Sequence, residues 1–137
     1  MPMLEGLCEY RIPYADTDQM GFVYYGNYLV MFERARNELM RAMGFTYLEM
    51  ERRGLGLPVI EAHVKYSRPA KYDDLVQIRA VISSYSHVRL KVDCEIRRDG
   101  ELLVSGYTVH AIMNLQTGHA TRPPEDIATM FTKAAEG

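Results

Sequence analysis

Apolar residues recur along this chain with two different periods, and the change of period divides it into elements. The opening stretch from Leu7 to Tyr14 reads as a first strand, whose end Pro13 demotes to an edge or a turn. Ala15 to Gly26 reads as a loop with room for one helical turn. From Asn27 onward the spacing becomes three and four: Tyr28, Phe32, Ala35, Leu39 and Met43 form one apolar stripe, while Glu33, Arg34, Asn37, Glu38 and Arg41 lie largely off it. Asn27 is placed to cap this long helix and Gly44 to stop it. Thr46 and Glu49 then spell a capping box for a second, short helix that Gly54 ends.

Beyond Gly54 the period falls to two. Pro58 to Tyr66 is rich in β-formers. Val76, Ile78, Ala80 and Ile82 alternate with more polar neighbours, and Leu90, Val92, Cys94 and Ile96 alternate with charged ones, the signature of antiparallel strands buried on one face. Asp99-Gly100 is a hairpin turn. Leu102 to Leu115 is its partner strand, apolar on both faces in places as a central strand is. Gln116-Thr117-Gly118 is another turn, and a terminal helix is predicted from about Glu125 to Ala135. Strands grouped after a helix predict an α+β fold, with the long helix lying on one antiparallel sheet. A sheet with a partly apolar outer face further predicts a homo-oligomer, most simply a two-fold dimer.

Composition narrows the function classes. The 137 residues suit one domain, taken as 1–137. With 47% hydrophobic and 25% charged residues, a net charge of -2 and a pI of about 6.1, the chain lacks the basic excess of a nucleic-acid binder. No apolar run reaches the roughly 18 residues of a membrane span. No signal peptide is legible in MPMLEGLCEYR, so a cytoplasmic location is expected. Cys8 and Cys94 read as free, buried thiols without zinc spacing.

The chemistry concentrates in YADTDQMGFVYYGNY, from Tyr14 to Tyr28. As a calcium loop it fails: Met20 falls on a ligand position, and Asn27 stands where the closing Glu belongs. No metal or other cofactor is expected. Asp18 would instead lie just before a helix N-terminus, whose free N–H groups and positive partial charge can hold an oxygen that becomes negative. A carboxylate there can serve as nucleophile or general base, or simply as a cap. Gly21 and Gly26 allow the backbone to approach a ligand closely.

Tyr14-Ala15-Asp16-Thr17-Asp18, the run Gly21 to Tyr28, Phe32-Glu33-Arg34-Ala35-Arg36, Val64 to Ala70 and Tyr72-Asp73-Asp74 together resemble the 4-hydroxybenzoyl-CoA thioesterase family. They are nearest to its small bacterial acyl-CoA thioesterases, including the Tol-Pal-associated type. The resemblance runs from about residue 8 to 132. It implies a hotdog fold, a five-stranded antiparallel sheet wrapped around a long central helix. It also implies homodimers, often paired into homotetramers, with sites at the subunit interface, and hydrolysis of an acyl-CoA thioester.

Carried over by position, Asp18 is the catalytic carboxylate and Asp16 is structural. Tyr25 supplies, through its backbone N–H, the group that polarises the thioester carbonyl, with Tyr24 beside it. Several relatives carry histidine where this chain has Tyr25, which matters only if a side chain acts there. Asp18 either attacks the carbonyl or activates a water, and an ordinary aspartate is ionised at neutral pH as both roles require. A basic rim for the phosphates of CoA is expected from Arg68 and Lys71, and from His87 and Arg89 at the start of the fourth strand. His63 and His110 read as packed strand residues and His119 as a loop residue. Two rival readings are a hotdog hydratase or dehydratase, which would pair a histidine with the carboxylate, and a non-catalytic acyl-CoA sensor.

Overall fold

The structure, a computed structural model, describes residues 4–136. Strand β1 (Gly6–Arg11) leads through a 3-10 turn (Tyr14–Asp16) into helix α1 (Asn27–Ala42). Helix α2 (Tyr47–Arg52) follows, then the short strand β2 (Leu55–Gly56). Four long strands come next: β3 (Val59–Tyr66), β4 (Leu75–Ser86), β5 (Arg89–Arg98) and β6 (Glu101–Ala111). A second short strand, β7 (Met113–Asn114), precedes helix α3 (Glu125–Glu136). The five long strands form one antiparallel sheet in the order β1, β4, β5, β6, β3, and β2 pairs with β7 separately.

Helix α1 buries Tyr28, Met31, Phe32, Ala35, Leu39 and Met40 against the apolar positions of the sheet, Val76, Ile78 and Ala80 from β4 and Val92 and Ile96 from β5. The predicted stripe is thus the core face. Close approach is built in by glycine: a Cβ at Gly6 would collide with the α1 backbone at Ala35 and Leu39, and one at Gly106 with the carbonyl of His63 across the β3/β6 pair. Asp99 and Gly100 both take positive φ, 51° and 81°, as a two-residue hairpin turn requires.

Three local expectations change. Asn27 does not cap α1. Gly26 holds the cap position without a side-chain bond, and the Asn27 amide donates to the Asp16 carbonyl at 3.0 Å, because the loop behind it offers a nearer acceptor. The last long strand ends at Ala111 rather than Leu115, since Met113 and Asn114 leave the main sheet to pair with β2. Cys94 is buried but Cys8, near the sheet edge, is only half-buried. The capping box does form its main bond, with Thr46 Oγ1 accepting from the Glu49 N–H at 3.2 Å.

Candidate active site

The two carboxylates of the opening motif have different surroundings. The Asp16 carboxylate accepts from the Tyr10 hydroxyl at 2.7 Å, and the Asp16 carbonyl accepts from the Tyr24 N–H at 2.9 Å as well as from Asn27. Asp16 therefore ties β1, the loop and the start of α1 together. Partial burial, and then the carboxylate it serves, push the Tyr10 phenol up, so it stays a donor.

Asp18 is held only by its own turn. Its N–H donates to the Phe22 carbonyl at 2.8 Å, its carbonyl accepts from the Gly21 N–H at 3.0 Å, and Oδ1 accepts from the Met20 N–H at 2.9 Å. Gly21 makes this turn possible with φ of 81°, a conformation that a side chain disfavours. Among the described residues Oδ2 carries no hydrogen bond.

That carboxylate lines a cleft of about 280 Å³ shared with Tyr25, Tyr28, Tyr66 and Arg68. The turn at Pro69 and Ala70 is sewn to its floor: the Val23 N–H donates to the Ala70 carbonyl at 2.9 Å, and the Tyr28 hydroxyl accepts from the Ala70 N–H at 3.0 Å. Burial pushes the Tyr28 phenol up, and the nearby Asp18 charge adds a smaller push in the same direction.

The positive end of α1 closes the cleft. Tyr24 spends its N–H on Asp16 and its carbonyl on the Asn27 N–H, whereas no acceptor lies against the Tyr25 N–H among the described residues. The Tyr25 N–H shares its peptide plane with the Tyr24 carbonyl, so the Asn27 bond orients it, and the Tyr25 carbonyl, in the next peptide, accepts from the Tyr66 hydroxyl at 3.3 Å. The Tyr25 ring is exposed and lies tilted against Tyr24, 4.6 Å between centroids. Gly26 has an ordinary helical φ of -67°, but a Cβ there would press on the Tyr24 ring at 3.0 Å.

The expected basic rim divides. Arg68 borders the cleft and pairs with Glu101 at 3.3 Å. Lys71 stands next to it, its N–H donating to the Asp74 carboxylate and its ammonium 5.9 Å from the Phe22 ring centre. His87, in a turn with φ of 48°, and Arg89 stand at the opposite end of β4. The 12 residues of that strand run between them and the Asp18 loop of the same chain, and neither lines the cleft. His63 is exposed and stacked on Tyr107, His119 is an exposed loop residue, and neither lines the cleft with Asp18.

His110 is buried, with Nδ1 against the Leu57 carbonyl at 2.9 Å and Nε2 against the Thr108 hydroxyl at 2.8 Å. Burial lowers its pKa from 6.5 to about 4, so the ring is neutral. A larger concavity of about 490 Å³ lies between Lys65, Arg79, Lys91 and Asp93, on the polar face of the sheet away from α1, and does not include Asp18. The parts of the cleft that the sequence concealed are Tyr28 and Tyr66, which read there as core and strand. Their rings lie 5.5 Å apart only because the fold brings the end of β3 to the start of α1.

Residues 12–131 match the model of the thioesterase-like superfamily, and the chain belongs to that family, whose enzyme class is thioester hydrolase. YneP of Bacillus subtilis is 32% identical over 110 residues, 80% of each chain. The acyl-CoA thioesterase YbgC of Haemophilus influenzae is 29% identical over 122 residues, 88% of this chain and 90% of YbgC. Among solved structures, the DHNA-CoA thioesterase of Staphylococcus aureus superimposes with a TM-score of 0.92 at 30% identity, covering 98% of this chain and 93% of that one.

Proposed function

We propose that this protein hydrolyses an acyl-CoA thioester to the free acid and CoA. The observation that carries the reading is the meeting, at one cleft, of a carboxylate with an uncommitted oxygen and a free N–H at a helix N-terminus. The thioester carbonyl accepts from the Tyr25 N–H, and the positive end of α1 stabilises the oxyanion as it forms. Asp18 either attacks the carbonyl carbon to give a mixed anhydride that water then cleaves, or takes a proton from an attacking water. In both routes the carbon–sulfur bond breaks and the thiolate leaves to be protonated. Names of relatives that act on acyl-CoA and DHNA-CoA support the carrier. Arg68 and Lys71 are the cations best placed for its phosphates.

The reading includes a two-fold dimer in a hotdog arrangement, with the sheet of each copy wrapped on its α1. Strand β3 is an edge strand with seven of its eight residues exposed, Val59 and Ile60 about half exposed. Such an edge is a template for pairing. An antiparallel β3/β3 pair lays the Val59 end of one copy beside the Tyr66 end of the other. Leu90 and Val59 both face His110, so the end of β5 that bears Arg89 is carried there too. His87 and Arg89 then join the site of the second copy.

The test is thiol release from short, long and aromatic acyl-CoAs by the native chain and by Asp18→Asn. Turnover that falls by orders of magnitude in the variant supports hydrolysis through Asp18. Equal rates overturn that role, and acyl-CoA binding without thiol release from any substrate overturns hydrolysis.

A further inference from the structure

Tyr28, in the first turn of α1, is 3% exposed, yet it lines the cleft that holds Asp18. Its hydroxyl oxygen accepts from the Ala70 N–H at 3.0 Å. A phenol hydroxyl also has a proton to donate, and among the described residues no acceptor takes it. A buried donor left without a partner is costly. The carboxylates whose charges bear on this hydroxyl are Asp18 and Asp74. Asp74 is engaged, since its carboxylate accepts from the Lys71 N–H at 2.8 Å and from Arg98 at 2.7 Å. Asp18 is not, because Met20 takes only Oδ1.

Other polar groups at the cleft are committed: the Tyr66 hydroxyl gives its proton to the Tyr25 carbonyl, and Arg68 faces Glu101. Tyr28 and Asp18 thus meet at one cleft as a donor without an acceptor and an acceptor oxygen without a donor. No hydrogen bond joins them directly. A water accepts from one group and donates to the other, and so completes both. Its share of liquid volume is about 30 Å³, which leaves room for it beside a thioester carbonyl in a cleft of about 280 Å³. The two anchors are held in advance, the hydroxyl by the Ala70 N–H and the carboxylate by the Met20 N–H.

Resting on the reading of this cleft as a thioesterase site, we propose that the attacking water is held between the Tyr28 hydroxyl and Asp18 Oδ2, so that Asp18 is the general base and Tyr28 a further catalytic residue. The water oxygen accepts from Tyr28 and bonds the carbonyl carbon through its other lone pair, while one of its protons passes to Oδ2. The Tyr25 N–H holds the oxyanion that results. As the oxyanion collapses, the carbon–sulfur bond breaks with its electron pair on sulfur. Asp18 returns its proton to the thiolate, and the released acid loses its own proton to solvent. Burial holds the Tyr28 phenol up, so it stays protonated throughout.

The test uses the acyl-CoA that the native protein turns over fastest, with Tyr28→Phe beside the native chain. The variant is expected to lose about a hundredfold in kcat, as a misplaced reactant costs, while KM and calorimetric binding of free CoA stay within a few-fold. Tyr28→Phe also strips the Ala70 N–H of its acceptor, so urea midpoints are followed alongside. A merely structural role would loosen the loop and raise KM. A rise in KM without a fall in kcat, or a kcat within a few-fold of native, overturns the proposal and leaves hydrolysis intact. A second measurement needs no variant: the native protein is run for many turnovers in water carrying a heavy oxygen isotope. Label in the released acid and none in the peptide bearing Asp18 is expected, and label in Asp18 would reveal a mixed anhydride and overturn the proposal. If Tyr28→Phe does not fold, the label decides. If no acyl-CoA releases thiol, the thioesterase reading itself fails and takes this proposal with it.

Discussion

The hydroxyl of Tyr10 donates to the carboxylate of Asp16 at 2.7 Å, and that bond separates the roles of two aspartates that look equivalent in sequence. Asp16 is committed to holding the loop, whereas Asp18, on the far side of the 3-10 turn, borders the cleft with one oxygen uncommitted. Asp16→Asn should therefore cost about 1 kcal/mol of stability through the weakened charge-assisted bond, with turnover within a few-fold. Asp18→Asn should leave the urea midpoint nearly unchanged and remove most turnover. Urea titration alongside thiol release checks both, and the reverse pattern would exchange the roles.

Tyr25 is assigned its part through its backbone alone, because its ring is exposed and its hydroxyl makes no hydrogen bond to Asp18. Tyr25→Phe should accordingly hydrolyse acyl-CoA within a few-fold of the native protein across pH. A drop of a hundredfold, or a lost alkaline limb in the pH profile, would mean that the phenol acts as an acid.

The burial of His110 makes stability depend on pH. Its pKa falls from 6.5 in the open chain to about 4 in the fold, so between those values the unfolded state binds more protons. The contribution of His110 is complete above about pH 6.5 and is lost as pH falls toward 4. The full span corresponds to about 3 kcal/mol at one pKa unit per 1.36 kcal/mol. Urea midpoints at pH 7 and pH 4.5 should differ accordingly, and an imidazole resonance assigned to His110 that titrates near 6.5 in the native protein would remove the prediction.

Ile60, half exposed on the edge strand β3, offers a way to separate assembly from folding. Ile60→Arg places a charge where a second edge strand would pair, which edge strands use to block such contacts. Light scattering should give the native protein at least twice the mass of one chain and the variant a single chain, with the fold intact by circular dichroism. A native protein of single-chain mass would contradict the dimer.

Much of this molecule is legible in one dimension because its elements are built on local periods. The stripe Tyr28, Phe32, Ala35, Leu39 needs only helical spacing to show that it is a core face. The alternation from Leu90 to Ile96 likewise needs only a pleat, and both sets are buried as expected. Asp99-Gly100 and Gly44 announce themselves by the positive φ that their places demand. The motif from Tyr14 to Tyr28 also located the Asp18 loop, since its carboxylates, glycines and helix start are neighbours in sequence.

What the sequence by itself determined was thus the set of elements, their buried faces and the segment that carries the candidate chemistry. Only the tertiary structure decided which groups stand together. Asn27 had the residue type of a cap, yet the Asp16 carbonyl, brought close by the loop, takes its amide. Tyr66 joins Tyr28 at the cleft from 38 positions away along the chain, and Arg36 becomes buried only when α2 brings Tyr47 against it. His87 and Arg89 come out at the other end of the sheet because β4 is long. The physical reason is the same in each case. Helix and strand periods are set by contacts between near neighbours, whereas desolvation, charge compensation and the walls of a cleft depend on distances between residues remote in sequence, which exist only once the chain has folded.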